Sequence, residues 1–235
     1  MTLKDFEKKI NDLNDEIRDK ISDNENEIFP IFDGPLSVKE YFNSPIKIMW
    51  LMKEAYGDDF DFTDIIEKNY EGFLNDFING KSRTTWHPVV YTTYGILNNL
   101  EWKIIPDIKD DSEIVKCLKN VAWVNIQKLP SSTGTTTNMN NINIAFEKYQ
   151  TIIKNQIELL NPDIIICGGI YRTPGLLEKI FDTSIVDKIE DSWVEYNNSS
   201  NFLILSAYHP SCRRKKEKYV NDINDVVKKI YNKQK

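Results

Sequence analysis

A doubly wound α/β fold is what this 235-residue chain predicts: three α/β/α layers around a central, mainly parallel four-stranded sheet. Two observations lead there. Four short runs, residues 46–52, 121–126, 163–167 and 202–206, are rich in branched and aromatic residues and mostly lack polar alternation. Strands covered by helices on both faces read this way. Between them lie segments whose apolar residues recur at three-and-four spacing, and that alternation of strand and helix favours parallel pairing through crossover helices.

Taken in order, Leu3, Phe6, Ile10, Leu13, Ile17 and Ile21 predict an amphipathic helix over about residues 3–22. Helical patterns at 64–77 and 87–100 fill the gap between the first two strands. A polar stretch, 131–137 with Asn138 to Asn141, reads as a loop after the second strand. Residues 143–160 form the helix before the third strand. Gly168 and Gly169 read as a tight turn after it, and residues 174–181 as the next helix. The tail, 217–231, places Tyr219, Ile223, Val226, Val227 and Ile230 on one helical face. No repeat or linker interrupts the chain, so residues 1–235 are expected to form a single domain.

Hydrophobic residues make up 40% and charged residues 28%, an ordinary globular balance that argues against disorder. No apolar stretch is long enough to span a bilayer and the N-terminus lacks a signal-peptide pattern, which predicts a soluble, cytoplasmic protein without membrane contact. Cys117, Cys167 and Cys212 are widely spaced, which argues against a disulfide framework or a cysteine-only metal site. The net charge of −6 disfavours indiscriminate binding to polyanions, yet five of the six residues from Arg213 to Lys218 are basic.

The chemistry concentrates at the strand ends, where ligands of open α/β sheets sit. Lys53, Glu54, Ala55, Tyr56 and Gly57 follow the first strand; Asn125 lies in the second, with Gln127 and Lys128 after it; Gly168 and Gly169 follow the third. Tyr208, His209, Pro210 and Ser211 follow the fourth, with Arg213, Arg214 and Lys215 beyond. A carboxylate, a carboxamide, an imidazole and an aromatic ring converging on one edge suit recognition of a heterocyclic base and cleavage of the bond to it. The carboxylate would stabilise a sugar cation and orient water, and the imidazole would hydrogen-bond the departing base.

In this motif order the chain resembles the uracil-DNA glycosylase superfamily over roughly residues 46–214, most closely at His209, Pro210 and Ser211. The resemblance implies a monofunctional glycosylase that flips uracil or a related altered pyrimidine out of DNA, without metal or organic cofactor, and a monomer is expected. It implies catalytic roles for Glu54 and His209, base contacts from Asn125, Tyr56 and the stacking candidates Trp86 and Tyr91, and DNA contacts from Ser211, Arg213, Arg214 and Lys215. The chain carries Glu54 where the family has Asp, and Ala55 where the family has Pro. Two other readings fit the same residues: a non-catalytic nucleobase- or nucleic-acid-binding module, and an enzyme acting on free nucleosides or nucleotides. Each residue also has a plain structural reading, such as a histidine bonded to backbone or an aromatic ring in the core.

Overall fold

A computed structural model describes residues 1–22, 28–56, 61–131, 138–185, 187–198 and 202–231, without the side chains of Ala55, Tyr56 and Arg172. Helix α1 (Leu3–Ile21) leads to β1 (Gly34–Pro35), α2 (Val38–Asn43) and β2 (Ile48–Tyr56). Two single turns follow, α3 (Ile65–Lys68) and α4 (Tyr70–Phe73), the latter running into a π-helical turn at Leu74–Asn79. Then come α5 (Arg83–Asn98), a 3-10 segment at Ser112–Asn120, β3 (Val121–Ser131), α6 (Met139–Leu160), β4 (Ile164–Gly168) and α7 (Leu176–Phe181). The chain continues with β5 (Asp187–Lys188), β6 (Glu195–Asn197), β7 (Leu203–Ala207) and α8 (Lys216–Val226). No helix among the described residues is long and apolar enough to cross a membrane.

The sheet has seven strands in the order β1-β3-β2-β4-β7-β6-β5. The four expected strands form its parallel centre, β3-β2-β4-β7. The expected count of four is too small, because β1 adds antiparallel to β3 while β6 and β5 extend the β7 edge antiparallel. Those three strands are two or three residues long, too short for a two-residue periodicity to register.

Side chains alternate across the sheet and build two cores. Trp50, Met52, Trp123, Ile166 and Leu205 pack with Val89 and Val90 of α5, with Val115 and Leu118 of the 3-10 segment, and with Val220 and Ile223 of α8. On the other face Met49, Leu51, Val124, Ile165 and Ile204 meet Tyr41 of α2, Ile153 and Ile157 of α6, and Leu176 of α7. Helix α1 begins at a reciprocal cap, in which Asp5 N–H donates to Thr2 Oγ1 and Thr2 N–H to the Asp5 carboxylate. Its Leu13, Ile17 and Ile21 lie against Ile152 of α6.

Helix boundaries depart from the sequence pattern where polar side chains intervene. The segment expected as one helix over 64–77 breaks at Asn69, whose non-helical backbone lets its side chain cap the Gly72 N–H at 3.0 Å. Helix α5 starts at Arg83 rather than 87 and contains Pro88.

A buried polar cluster ties the N-terminal segment to the sheet. The Asp33 carboxylate takes four donors: Asn125 N–H at 2.7 Å, Asn125 Nδ2 at 3.1 Å, Lys128 Nζ at 2.6 Å and Gln156 Nε2 at 3.0 Å. Lys128 also donates to Gln156 Oε1 at 2.7 Å, and the Asp33 and Lys128 side chains are both 0% exposed. Burial pushes the Lys128 ammonium below its usual range while Asp33 acts in the opposite direction. Replacing Lys128 by Met leaves the Asp33 charge buried without its counter-ion, and is expected to cost about 3–5 kcal/mol in urea-induced unfolding. The double variant Asp33→Asn with Lys128→Met is expected to recover part of that loss. A single-variant cost below about 1 kcal/mol, the range of exposed pairs, would refute the role given to the pair.

Candidate functional site

The parallel strands all end on one edge, and the strand order reverses between β2 and β4. Chain connections diverge there, which is the position where open α/β sheets bind their ligands. β2 leads through α5 on one face of the sheet to β3, whereas β4 and its following α7 lie on the other side of β2 and on the opposite face. Glu54 of β2, Gly168 at the end of β4 and Gly169 after it lie at the strand ends of this reversal, and His209 follows β7, the next strand beyond β4.

His209 is placed by two glycines. A Cβ on Gly168 would sit 2.5 Å from the Met52 sulfur, and one on Gly169 would lie 3.1 Å from His209 Cβ. Gly169 also has φ of +80°, which a larger side chain would strain. Its N–H donates to Ala207 O at 2.7 Å, which continues the β4–β7 pairing past the end of β4. Beyond the strand, Cys212 N–H closes on His209 O at 2.8 Å, and the buried Tyr219 hydroxyl donates to Tyr208 O at 2.8 Å. Helix α8 thus holds the loop that carries the imidazole.

The hydrogen bonds of that imidazole determine its tautomer. Ser211 N–H points at His209 Nδ1 at 3.2 Å, and Ser211 Oγ lies 2.7 Å from the same atom. A backbone N–H can only donate, so Nδ1 is an acceptor and the proton of the neutral ring resides on Nε2. The half-buried ring is therefore configured as a hydrogen-bond donor through Nε2.

Glu54 is half-buried at the end of β2 and lies opposite Gln127 in the ladder, beside a register irregularity that precedes Tyr56. The side chain of Tyr56 lies outside the described residues, as do Gly57, Asp58 and Asp59. Asn125 pairs with Met52 across the ladder and is 1% exposed, with its amide donating to Asp33. Its first duty is structural. A carboxylate only accepts, so Nδ2 must face Asp33 and the Asn125 carbonyl is turned away from it.

Trp86 does not meet the sequence expectation of a stacking platform. It is 3% exposed, stacks on Trp123 at 4.6 Å between centroids, and lies edge-on to Phe73 and Phe77. Tyr91 is buried as well, its hydroxyl accepting from Ile108 N–H. The aromatic rings gathered at the strand ends are instead Tyr171, Trp193 and Tyr208, with Tyr208 edge-on to Tyr171 at 5.1 Å and tilted against Trp193 at 4.6 Å. Trp193 falls in a short strand-flanking segment without apolar periodicity, so nothing in the local pattern marks it.

Cations collect around the same edge. Arg213, Arg214 and Lys215 are exposed ahead of α8, and the Arg214 guanidinium covers the rings of Tyr208 at 4.2 Å and Trp193 at 5.2 Å. Ser211, expected at DNA, is exposed and bonded to His209. The start of α5 faces the start of α8, with Lys216 Nζ 6.0 Å above the Tyr91 ring. Half-buried His87 donates from Nε2 to Ile78 O at 2.9 Å. Burial lowers its pKa, with Lys216 and Arg83 adding to the effect and the Ile78 carbonyl and Asp107 opposing it.

Among the described residues no cluster of His, Cys, Asp or Glu could hold a metal ion. The buried thiols of Cys117 and Cys167 have pKa values raised by desolvation, which leaves them protonated and unreactive. No family model and no curated protein sequence matches the chain.

Nitrogen-15 NMR of the neutral protein is expected to show His209 as the Nε2–H tautomer, and to do so still in Ser211→Ala, which keeps the backbone donor. A proton found on Nδ1 would contradict the geometry. For His87, a folded pKa below the usual 6.5 means that the unfolded chain binds its proton first on acidification. Stability is therefore expected to fall as pH drops through 6.5 toward the lower folded value. Denaturation midpoints between about pH 7 and 5 should show a shallower slope in His87→Gln.

Proposed function

We propose that the chain is a monofunctional DNA glycosylase of the uracil-DNA glycosylase type, hydrolysing the N-glycosidic bond of uracil or a related altered pyrimidine flipped from DNA. The observation that carries this reading is the Nε2–H tautomer of His209, on the loop that follows β7, the strand directly beside β4 and second from β2. A neutral imidazole donor suits an oxygen that gains negative charge as the base departs, and it need not transfer a proton to stabilise it.

The C1′–N bond breaks with its electron pair leaving on the base, and positive charge develops on the sugar. His209 Nε2–H donates to the base carbonyl oxygen. The Glu54 carboxylate faces the sugar cation, orients water toward C1′ and accepts the proton that the water releases as the new C–O bond forms. Asn125 orients the base edge through the carbonyl that Asp33 turns away from itself. Arg213 and Lys215 contact phosphates, and Arg214 approaches the backbone from its seat on Tyr208 and Trp193. The protein acts as a cytoplasmic monomer on DNA, with no metal or organic cofactor.

Purified protein is expected to release the base from a uracil-containing or related oligonucleotide and to leave an alkali-labile abasic site. His209→Ala should lower single-turnover release about 10²–10³-fold, the range for loss of one oxyanion donor. Glu54→Gln should lower it about 10²–10⁴-fold, as for loss of a general base. No release across a panel of altered pyrimidines would overturn the reading, and release unaffected by either substitution would overturn the residue roles.

A further inference from the structure

Beside the His209 loop, the β7 edge carries a cleft that the chemistry above does not use. Its volume is about 180 Å³, and it is lined by Tyr171, Lys188, Trp193, Glu195, Ser206 and Tyr208, with Ala207 completing the wall. The floor is a register row: Ser206 pairs with Glu195 across β7 and β6, and Glu195 pairs with Lys188 across β6 and β5. A hydroxyl, a carboxylate and an ammonium therefore stand side by side on three adjacent strands, spaced by about 4.8 Å. The walls are aromatic, with Tyr171 38% exposed and Arg214 lying over the Tyr208 and Trp193 rings.

The size and lining identify the class of ligand. The volume is below the ~300 Å³ at which sites for drug-sized molecules begin, so the occupant is small. Aromatic walls select a planar ring, which stacks in a sequence-tolerant way. The floor selects the hydrogen-bonding edge. Lys188 Nζ holds Glu195 Oε1 at 2.9 Å, and both side chains remain partly exposed, at 52% and 38%. Adjacent acceptor and donor positions match a ring that presents a carbonyl beside N–H groups. Guanine has that edge: O6 faces an ammonium while N1–H and N2–H₂ face a carboxylate.

We infer that the Tyr171, Trp193 and Tyr208 cleft, floored by Ser206, Glu195 and Lys188, binds a guanine base of the nucleic-acid strand next to the flipped nucleotide. Tyr208 is the link, since it lines the cleft and directly precedes His209. A base seated here sets the position of its neighbour at the imidazole. The assignment of a neighbouring base rests on the glycosylase reading, whereas recognition of guanine rests on the cleft itself.

Two measurements on the full chain test it. In fluorescence titrations with the four nucleoside monophosphates, GMP is expected to quench tryptophan emission at the lowest concentration. Trp193→Phe should remove the response. Glu195→Gln should weaken GMP binding about tenfold or more, the discrimination expected of a matched polar edge. Tyr171→Ala, at an exposed position, should weaken it about fivefold or more through lost stacking. His209→Ala should leave GMP binding unchanged. In single-turnover base release from oligonucleotides that vary the neighbouring base, guanine should give about tenfold faster release, with the preference lost in Glu195→Gln. Equal response to all four nucleotides overturns the guanine assignment. No nucleotide response together with release blind to the neighbour overturns the cleft and leaves the glycosylase intact. GMP binding without base release from any oligonucleotide supports the cleft and overturns the glycosylase reading.

Discussion

The buried Asp33 carboxylate is the constraint around which the β3 side of the molecule is organised. Moving a charge out of water costs several kcal/mol unless it is paired and its lone pairs are filled. Here they are filled, with Lys128 and Gln156 on one oxygen and the two nitrogen donors of Asn125 on the other. The donors come from β3 and α6, and the acceptor from the segment leading into β1. Removing any one of them leaves a polar group stranded, so the three elements are held in one arrangement rather than a family of similar ones. Ile31 N–H donating to Lys128 O extends the same attachment.

At the β4 and β7 strand ends the constraint is steric. A Cβ on Gly168 would collide with the Met52 side chain, and one on Gly169 would crowd His209 and strain a backbone at φ +80°. The His209 loop is then held from above by the hydroxyl of Tyr219, a core residue of α8. A side chain that must present one nitrogen in one direction benefits from such support, because catalytic and binding geometries tolerate little displacement. The Ser211 backbone completes this by claiming Nδ1.

Electrostatics follow from where charges fall rather than from their sum. The chain is acidic overall, with a net charge of −6, yet Arg83 of α5 and Lys216 of α8 lie near enough to lower the His87 pKa. Arg213, Arg214 and Lys215 extend that cationic region to the His209 loop. Local potential at a cleft governs which ligands approach it, so an acidic protein can still present a site suited to an anion. The Arg214 guanidinium, spread over two rings, adds a charge whose position is set by stacking.

Helix α1 and the parallel centre of the sheet were legible in the sequence, because periodicity and turn residues report burial and bending within a few positions. The helix runs from Leu3 to Ile21, within one residue of its expected range, and all four apolar runs became the parallel strands. Only the tertiary structure decided that Asn125 belongs first to a buried network, that Trp86 is core, and that Trp193 meets Tyr208 beside the His209 loop. The partners of Asp33 lie 92, 95 and 123 residues away in sequence, at Asn125, Lys128 and Gln156. A polar residue in an apolar run looks the same locally whether it will face a ligand or a buried carboxylate. The distinction is made by what the rest of the chain packs against it.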